Sequence, residues 1–466
     1  MQKKYYLCTE KLYIMMKNAM ILLAMAAVML SCQPSEGEIF FDEEGFEEVA
    51  LQSEITSVQP MTGLVLWPSY NSTGKYAPVI TLEFQYCLPC RVVTGKVDGV
   101  LQYDWSYLED ILDRISSRNH QAILRFRYEY PSNTDVDSEV PGATAVPQYI
   151  KDLPDYNETF KKNAGGDGPT YYADWTNTEL QWFTKQFYTD FAARYNNDTR
   201  IAFVELGFGH WSEYHIYGTP VKLGTNFPSK QYQKEFLMHV DNVLDIPWAI
   251  SIDAADDGYT PIVADAELMA LDFGLFDDSF MHEGHEIKQG DGYNERCWRS
   301  IGEDKRWKVG VCGGEVSYYT RDDQRNFLNP EGMYGWTWEA ASAKYHITFM
   351  ISNDAPGGIH GTVERFREAG IAVGYSLRVL RCATNGTETR LSITNDGVAP
   401  LYRDAYFAIG DIQSEVSLKG LLPQDTLRIS IPAGLSAPED LSVVCPHILP
   451  SQKIEFAADI VPDSKR

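Results

Sequence analysis

Between residues 63 and 372, apolar residues follow two patterns: short continuous runs, and steps of three or four. Short apolar runs of six to nine residues have the length and composition of buried strands, and they stand at 63–68, 78–86, 122–128, 201–209, 248–253, 273–278, 308–314 and 346–352. Segments between several runs carry apolar residues at steps of three or four, as at Leu180, Phe183 and Phe187, which is the spacing of an amphipathic helix. Eight strand–helix units predict an α/β fold, a parallel sheet closed into a (β/α)8 TIM barrel, over residues 59–373.

The pattern changes after about residue 374. Apolar residues there alternate with a period of two, and turn signals interrupt them, of which Asn395-Asp396-Gly397 is the strongest. These features predict a small C-terminal antiparallel β-sandwich, residues 374–466, packed beside the barrel. Residues 33–58 are acidic and aperiodic, and we interpret them as a tether that precedes the folded part.

The N-terminal segment, residues 1–32, has the pattern of an export signal. Lys17 precedes the apolar run AMILLAMAAVMLSC, which ends at Cys32 and is too short to span a bilayer permanently. Small and apolar residues directly before a cysteine resemble the cleavage box of bacterial lipoproteins, which implies cleavage before Cys32 and lipidation of that residue. Each buried methylene of an acyl chain adds about 0.8 kcal/mol of membrane affinity. We therefore expect an exported protein, held at the periplasmic or cell-surface side of a bacterial outer membrane through its lipid alone.

Composition and charge exclude two classes of protein. The 466 residues include 40 Lys and Arg against 65 Asp and Glu, a formal net charge of -25, which repels the phosphate backbone of nucleic acids. A hydrophobic content of 44% with 13% aromatic residues supplies enough apolar side chain for a packed core, unlike the composition of disordered chains. We expect a folded protein without a nucleic-acid partner.

The chain has eight cysteines, and six remain once the signal segment and Cys32 are set aside. Export permits disulfides. Cys87 and Cys90 form a CLPC motif, but the sequence has no second such pair and no redox-protein context around it, so we interpret the pair as structural. Cys382 with Cys445 is a candidate for a second bridge, although spacing alone leaves the connectivity open.

The connection after the third predicted strand is unusually long. It runs from Pro131 to about Asn177, has little periodicity and contains aromatic residues such as Tyr149, Tyr156 and Trp175. Most connections have about 5 residues, and much longer ones are usually functional or disordered. Because a connection after a barrel strand lies on the face where active sites form, we interpret it as a substrate-binding wall. A passive surface insertion is the alternative.

Two glutamates follow strand ends on the catalytic face of the predicted barrel. Glu213 follows the fourth strand and Glu315 ends the seventh, so the two can face each other across the barrel mouth. Cleavage of a glycosidic bond needs one protonated and one ionised carboxyl group at the same pH. Aromatic neighbours would bury Glu213 and raise its pKa. Gly313-Gly314 would leave room for sugar beside Glu315, and a barrel arginine, Arg125 or Arg127, would keep that carboxylate charged.

This arrangement resembles the large clan of retaining glycoside hydrolases built on (β/α)8 barrels, in which the strand-four glutamate is the acid/base and the strand-seven glutamate is the nucleophile. The stretch LQYDWSYLEDIL at 101–112 is similar to the sequence that precedes the second helix in many members of that clan. The resemblance covers about residues 60 to 372. It implies Glu213 as acid/base and Glu315 as nucleophile. The chain departs from the clan at Ser212, where the clan usually has an Asn that binds the sugar 2-hydroxyl.

More closely, the chain resembles an uncharacterised family of secreted bacterial barrel-plus-sandwich proteins. The shared motifs are GFGHWSEYH at 207–215, GGE at 313–315, DD at 277–278 and NDGVAPLYR at 395–403. Because one fold serves many reactions, this resemblance implies the architecture rather than the activity.

Glu205 is a rival for the acid/base, since VELG also resembles the strand-four wording. It lies within the fourth apolar run, where a carboxylate can simply pair with a barrel arginine. Glu213 is preferred because strand ends carry catalytic residues and strand interiors pack. For Glu315 the alternative is a salt-bridged strand end.

Further residues near the strand ends are expected to bind sugar. Aromatic rings stack on the C–H faces of sugars, and histidine, arginine and carboxylate groups bind hydroxyls. The expected binding residues are Arg125, Trp175, His210, Trp211, Tyr214, His215, Asp277, Asp278, Trp336 and Trp338.

Two other functions stay open at the level of sequence. HWSEYH at 210–215 and HEGHE at 282–286 supply histidines and glutamates for a metal-dependent hydrolase, but neither is an H-E-x-x-H motif and the first predicted strand has no H-x-H pair. A non-catalytic glycan-binding lipoprotein is the third interpretation. The sequence predicts a carbohydrate-active protein, a retaining glycoside hydrolase without metal or cofactor. Loops at the barrel mouth determine which glycan it binds, and the sequence does not predict their conformation.

Overall fold

The computed structural model describes residues 40–41, 43–68, 74–131, 144–164, 168–283, 292–317, 319–352 and 359–461. The predicted signal segment with Cys32, and residues 33–39 of the predicted tether, lie outside the described residues. Within the described ranges, no helix is both long and apolar enough to cross a membrane.

Eight parallel strands close into a barrel whose last strand pairs with its first. They are β1 Gly63–Leu66, β2 Leu82–Cys87, β3 Gln121–Phe126, β4 Ile201–Leu206, β5 Trp248–Ser251, β6 Gly274–Phe280, β7 Cys312–Val316 and β8 Phe349–Ile351. Each predicted apolar run contributes one strand, so the predicted TIM barrel is confirmed. The strands are almost wholly buried, because helices cover their outer face and side chains fill the interior.

Helices of seven residues or more pack around the barrel in the described part of the chain. They are α1 Ser106–Ser116, α2 Thr178–Tyr195, α3 Lys230–Val243, α4 Tyr293–Ile301, α5 Trp338–Lys344 and α6 Val363–Ile371. Shorter α-helical turns are Pro89–Val92, Gln148–Lys151, Ala266–Met269, Arg306–Val309 and Arg321–Asn326, and the 3-10 turns are Ala77–Val79, Ile252–Ala255 and Pro438–Asp440. α2 begins after Asn177, whose side chain accepts a hydrogen bond from Leu180 N at 3.0 Å and so caps the helix. Between β1 and β2 the described residues form only the turn Ala77–Val79 in place of a helix.

Small antiparallel hairpins lie in the connections after β2 and β3. Val93–Val97 pairs with Val100–Tyr103, and Thr159–Lys161 pairs with Thr170–Tyr172. The second hairpin belongs to the long connection that the sequence shows after the third strand, so part of that connection has regular structure.

Two sheets follow the barrel. The larger sheet contains, in spatial order, Thr426–Ile431, Thr389–Asn395, Leu377–Thr384, Ala457–Ile460 and Leu51–Ser53, with Glu47–Glu48 also paired to Leu377–Thr384. The smaller sheet contains Ile412–Gln413, Tyr406–Ile409 and Leu441–Val444. Side chains of both sheets share one apolar core, which confirms the predicted sandwich. The sandwich is not wholly antiparallel, because Leu377–Thr384 and Ala457–Ile460 pair in parallel.

The start of the described chain belongs to this sandwich. Leu51–Ser53 pairs antiparallel with Ala457–Ile460, and the Leu51 side chain is buried. The chain is therefore folded here, whereas the sequence pattern predicts a tether over residues 33–58. A strand of three residues is too short for its periodicity to be recognised.

The sandwich covers the floor of the barrel, the end at which its strands begin. Tyr375 Oη donates to Pro60 O at 3.1 Å, and Arg403 Nη1 donates to Asp245 O at 3.0 Å; these acceptors precede β1 and β5. Apolar side chains inside the barrel and inside the sandwich form one continuous core. The carboxyl ends of the barrel strands, which form the mouth, therefore face away from the sandwich.

All six cysteines of the described residues are free thiols. The candidate bridge between Cys382 and Cys445 is wrong, because both residues are free thiols; Cys382 lies within the larger sheet and Cys445 follows the last strand of the smaller sheet. Cys87 ends β2 and Cys90 lies in the short helical turn after it, also unbridged.

Candidate active site

Arg125 lies near the carboxyl end of β3 and is fully buried. Its Nε donates to Glu205 Oε2 on β4 at 2.6 Å. Its Nη1 and Nη2 donate to Asp278 Oδ2 and Oδ1 on β6 at 2.6 and 3.2 Å, the two-point geometry in which a guanidinium holds a carboxylate most firmly. The alternative role weighed for Glu205, pairing with a barrel arginine, is confirmed. Arg125 thus links three strands at the mouth.

Glu213 is carried by a tight loop after β4. Ser212 Oγ fastens this loop by donating to Phe126 O at 2.7 Å and to Gly207 O at 3.0 Å. Trp211 and Ser212 both have positive φ, 54° and 62°, a conformation that is strained for residues with bulky or branched side chains and is common at functional sites. Ser212, where the resembled clan has an Asn, therefore holds the backbone under Glu213 and is itself buried.

Gly207 leaves no room for a side chain beside this loop. A Cβ at Gly207 would lie 1.7 Å from Ser212 O, so the loop would have to move. We expect Gly207→Ala to lower the free energy of unfolding by about 1–3 kcal/mol, measured as a fall in the unfolding midpoint. Gly95→Ala is the matched control, since a Cβ there meets nothing within 4 Å. Equal midpoints for the two variants would contradict this account of the loop.

The Glu213 carboxyl group is buried among other acids. Only 8% of the residue is exposed, and His215 Nδ1 lies 3.7 Å from its Oε2. Burial raises the pKa of Glu213 well above its ordinary value, Asp278 and Asp253 raise it further, and Arg125 opposes them. The expected rise in this pKa is confirmed, and the group is protonated where an ordinary glutamate is ionised.

Glu315 ends β7 in a similar environment, with 7% of the residue exposed. Burial raises its pKa well above the ordinary value and Asp278 adds to the rise, while Arg125 opposes it. The expectation that an arginine keeps Glu315 ionised is therefore wrong for the free protein. The charge of Arg125 is already engaged by Glu205 and Asp278.

The two glycines before Glu315 pack against protein rather than leaving room for a ligand. A Cβ at Gly313 would lie 2.6 Å from the Phe349 ring, and one at Gly314, where φ is +138°, would lie 2.1 Å from Asp277 O. The expected space for sugar at these glycines is thus occupied by β8 and β6. Their function is to let three strands approach closely.

The raised pKa of Glu315 predicts that stability falls as pH rises. A carboxyl group with a raised folded pKa binds more protons when folded than when unfolded, so its contribution is complete below about pH 4.5 and is lost as pH rises through the folded pKa. Glu315→Gln removes this loss. We expect that variant to exceed the parent protein by about 1–2 kcal/mol in free energy of unfolding at pH 8 and not at pH 4.5, measured by urea denaturation. The exposed Glu331→Gln is the control, and a gain of the same size at both pH values would refute the linkage.

His215 joins Glu213 to a third acid. Its Nδ1 contacts Asp253 Oδ2 at 2.6 Å, and Tyr293 Oη donates to Asp253 Oδ1 at 3.2 Å. Ligand atoms of Glu213, His215 and Asp253 all lie within 4.8 Å of one another, a donor set that suits zinc. A metal here would have to replace the hydrogen bond between His215 and Asp253. His282 of the HEGHE stretch contacts Asp323 instead, at 3.4 Å, and residues 284–286 lie outside the described residues.

Several predicted binding residues are brought together and others are not. Arg125, Asp278 and His215 surround Glu213, and half-buried Trp211 lies in the same loop, with its ring against Tyr130. Asp277 points outward from the barrel: it accepts from Trp298 Nε1 at 3.0 Å and Asn294 Nδ2 at 2.8 Å, and so fixes α4.

The remaining predicted aromatic and histidine residues serve the packing around the barrel. Tyr214 is fully buried against Phe208. His210 stacks on Tyr172, and burial lowers its pKa to about 3, so it is neutral.

Three predicted tryptophans lie in the layers outside the acid cluster. Trp175 packs on Tyr232 in the aromatic core. Trp338 is buried in α5 and donates to Ala369 O at 2.9 Å. Trp336 lies under Lys344, whose Nζ is 5.5 Å from the ring centre.

Two residues near the acidic side chains at the barrel mouth are not among the site residues predicted from the sequence. Tyr86 on β2 lies with its Oη 3.5 Å from Arg125 Nη1, and Tyr319, 67% exposed, is electrostatically coupled to Glu213 and Asp278. Tyr86 carries a usable signal, because side chains at every second position of a barrel strand point inward. Tyr319 follows β7 in an irregular segment and carries none.

Fold and site together define the class of this protein. It is a (β/α)8 barrel with a sandwich on its floor, and at its mouth the Arg125 guanidinium binds Glu205 and Asp278. The buried carboxyl groups of Glu213 and Glu315 lie within the electrostatic influence of that guanidinium. No protein-family model matches the chain, and no curated protein matches it.

Solved structures are similar in fold at low identity. Endo-glycoceramidase II from Rhodococcus sp. is 9% identical with a TM-score of 0.42, over 83% of this chain and 100% of that one. The catalytic domain of β-amylase from Paenibacillus polymyxa is 10% identical with a TM-score of 0.40, over 68% and 99%. The GH39 enzyme from Xanthomonas axonopodis pv. citri is 10% identical with a TM-score of 0.36, over 89% and 96%. Similarities of this size concern the fold and carry no argument about activity.

Proposed function

We propose that the protein is a glycoside hydrolase in which Glu213 is the acid/base and Glu315 the nucleophile of a retaining reaction. The observation that carries the proposal is the convergence of these two buried glutamates, from β4 and β7, on the same Asp278–Arg125 ion pair at the barrel mouth. A pair of carboxyl groups is the machinery that glycosidic cleavage requires. The mouth is also where barrel enzymes place their chemistry.

The protonation of the free protein suits the first step. Protonated Glu213 can give its proton to the glycosidic oxygen as the bond breaks. Glu315 must release its own proton to solvent before it attacks the anomeric carbon, and the charge of the Arg125 guanidinium stabilises the resulting anion. Positive charge that develops on the sugar ring favours the same ionised form.

Aromatic side chains near the acids suit a carbohydrate ligand. Trp211 lies with its ring centre 5.7 Å from that of Tyr217, which is 38% exposed and packs at a tilt on His215, with ring centres 4.7 Å apart. Tyr293, 48% exposed, donates to Asp253, and exposed Tyr319 follows β7. Rings that keep one face toward solvent can stack on sugars.

The triad of Glu213, His215 and Asp253 favours a second candidate, a metal-dependent hydrolase, and a glycan-binding protein without turnover is the third. A panel of bacterial, algal and plant polysaccharides separates the three, with reducing ends and bound glycan both measured. Cleavage that survives a chelator supports the glycosidase, and cleavage that a chelator abolishes and zinc restores supports the metal enzyme. Binding without release of reducing ends supports the third candidate and overturns the first.

Export and lipid anchoring through Cys32 are part of the proposal. They are supported by the apolar run before Cys32 and the small residues next to it. Cys32→Ser would then move the protein from the membrane fraction to the soluble exported fraction. An unchanged membrane fraction would overturn the assignment of Cys32.

A further inference from the structure

A second cleft lies at the seam between the barrel floor and the sandwich, at the opposite end of the barrel from the buried glutamates. Its volume is about 490 Å³, which falls in the range of pockets that hold small molecules. The barrel contributes Asp245 and Asp272, which precede β5 and β6. The sandwich contributes Arg403, Lys419 and His447. Side chains of both domains therefore form the walls of this floor cleft.

Arg403 is the buried cation of the floor cleft, with 4% of the residue exposed. Its Nη1 donates to the backbone oxygen of Asp245 at 3.0 Å, and its buried Nε has no hydrogen-bond partner. Among the described residues, no carboxylate forms an ion pair with it, and Asp245 and Asp404 attract it only at longer range. A buried charge is costly to keep without a counter-ion. An anion bound in the cleft would supply that counter-ion.

The surrounding chain holds Arg403 in place. It ends the stretch 395–403, in which Asn395 Nδ2 donates to Ala399 O at 2.9 Å and Tyr402 Oη donates to Trp307 O at 2.6 Å. The Asp245 carboxylate is engaged elsewhere, because its Oδ2 accepts from Asn196 Nδ2 at 3.0 Å. A guanidinium fixed in this way loses little conformational freedom when it binds a ligand.

Arg403 stays charged at neutral pH although burial lowers its pKa to about 10. The pKa of His447 is lowered by burial and then by the charge of Arg403, so this imidazole is neutral at the same pH. Lys419, which is exposed, adds the other fixed positive charge to the cleft wall. The cations that an anionic ligand would meet are therefore one deep guanidinium and one ammonium group at the rim.

Four carboxylates line the outer part of the cleft and limit the charge of its ligand. Asp245 and Asp272 are exposed, and Asp241 and Asp404 are half-buried. They repel an ion of several negative charges, but water and salt screen exposed charges beyond about 8 Å. One carboxylate in contact with a buried guanidinium is attracted far more strongly. Because carboxylates also accept hydrogen bonds from hydroxyl groups, the cleft suits a ligand with one carboxylate and several hydroxyls.

We propose that the floor cleft binds a sugar acid, with the sugar carboxylate on Arg403 and the sugar hydroxyls toward the aspartates. The site goes beyond the proposed function, because it lies at the other end of the barrel from Glu213 and Glu315 and breaks no bond. It gives the sandwich a role in binding, in addition to covering the barrel floor.

Calorimetry of the full chain with D-glucuronate tests the ligand class. We expect binding with a dissociation constant of about 1 mM. D-glucose and the methyl ester of glucuronate lack the charge and should bind at least about tenfold more weakly, and inorganic sulfate, which lacks the hydroxyls, should also bind more weakly. Failure of glucuronate to bind would overturn the inference, as would equal affinity for glucose or for sulfate.

Variants locate the binding. Arg403→Gln should weaken glucuronate binding at least about tenfold. Arg428→Gln, which removes an exposed arginine of the larger sheet, is the matched control and leaves the affinity unchanged. Trp211→Ala, at the barrel mouth, should also leave it unchanged. Affinity that survives Arg403→Gln, or that is lost in Trp211→Ala, would place the glucuronate elsewhere and overturn the inference.

Two measurements keep the test available if Arg403→Gln does not fold. Arg403→Lys keeps the positive charge but cannot bind a carboxylate at two points, so we expect weaker binding of glucuronate, whereas a merely structural role of Arg403 predicts unchanged affinity. Crystals of the parent protein with glucuronate need no variant. A sugar carboxylate within hydrogen-bond distance of Arg403 is the expected result, and glucuronate at the mouth alone would overturn the inference.

This inference and the proposed function fail separately. Glucuronate bound at the floor of a protein that cleaves no glycan supports the floor cleft and counts against the glycosidase alone. Cleavage of a glycan by a protein that does not bind glucuronate would overturn the floor cleft and leave the two catalytic glutamates in place.

Discussion

Replacing Glu315 by Gln is expected to lower the rate of glycoside cleavage by at least about 10³-fold, while glycan binding is kept. The amide has nearly the shape of the carboxyl group but cannot attack the anomeric carbon. Because burial raises the pKa of Glu315 well above its ordinary value, a neutral amide changes little in the resting site, so the loss reflects the reaction rather than damage. Initial rates on the glycan found by screening, together with binding by calorimetry, measure the two effects.

Covalent trapping identifies the attacking residue directly. A 2-deoxy-2-fluoro glycoside of the right sugar should leave an adduct on the peptide that contains Glu315, detected by mass spectrometry and absent in Glu315→Gln. Glu331→Gln is the control for removal of an exposed carboxyl group elsewhere. An adduct on Asp278 instead would reassign the nucleophile, and a product of inverted configuration would rule out the retaining reaction.

Arg125→Met is expected to cost about 3–5 kcal/mol of stability at pH 8, because it leaves buried Glu205 and half-buried Asp278 without their cation. The cost should shrink at pH 5. Burial already raises the pKa of Glu205 to about 7 in the presence of Arg125, and without that cation Glu205 takes up a proton more readily still. Below this range Glu205 is neutral in the variant and needs no partner.

Urea denaturation at the two pH values measures this effect. The control is Arg194→Met, since Arg194 is 47% exposed and pairs with Glu109 at the surface, where an ion pair contributes at most about 1 kcal/mol. A cost for Arg125→Met that is the same at pH 5 and pH 8 would mean that lost packing against the Phe276 ring, 4.0 Å from the guanidinium, outweighs the unpaired acids.

Periodicity predicts the barrel because buried parallel strands appear as continuous apolar runs, and each of the eight runs is a strand. The positions of Glu213 and Glu315 near the mouth follow from the same runs, since strand ends in a barrel share one face. What periodicity cannot supply is the direction of each side chain. Asp277 and Asp278 are neighbours in sequence, yet one fixes α4 outside and the other binds Arg125 inside.

The sequence likewise does not predict which side chains on different barrel strands form ion pairs. Arg125 or Arg127 is predicted to accompany Glu315, but the Arg125 guanidinium is bound by Glu205 and Asp278, which lie 80 and 153 residues away along the chain. Which acids bind Arg125 depends on the strand register and on which acids are most deeply buried. Local sequence predicts neither property. The pKa of Glu315 is raised first by burial and then by the charge of Asp278, and neither the depth of Glu315 nor its distance from Asp278 follows from the local sequence.

The strand Leu51–Ser53 lies against Ala457–Ile460, so a segment that precedes the barrel and a segment that follows it are joined in one sheet. This sheet can be completed only after the whole barrel and the strand Ala457–Ile460 have left the ribosome. A truncated form that begins at the barrel would keep its eight strands but expose the backbone N–H and C=O groups of Ala457–Ile460, a bare edge of the kind that pairs with neighbouring molecules and leads to self-association.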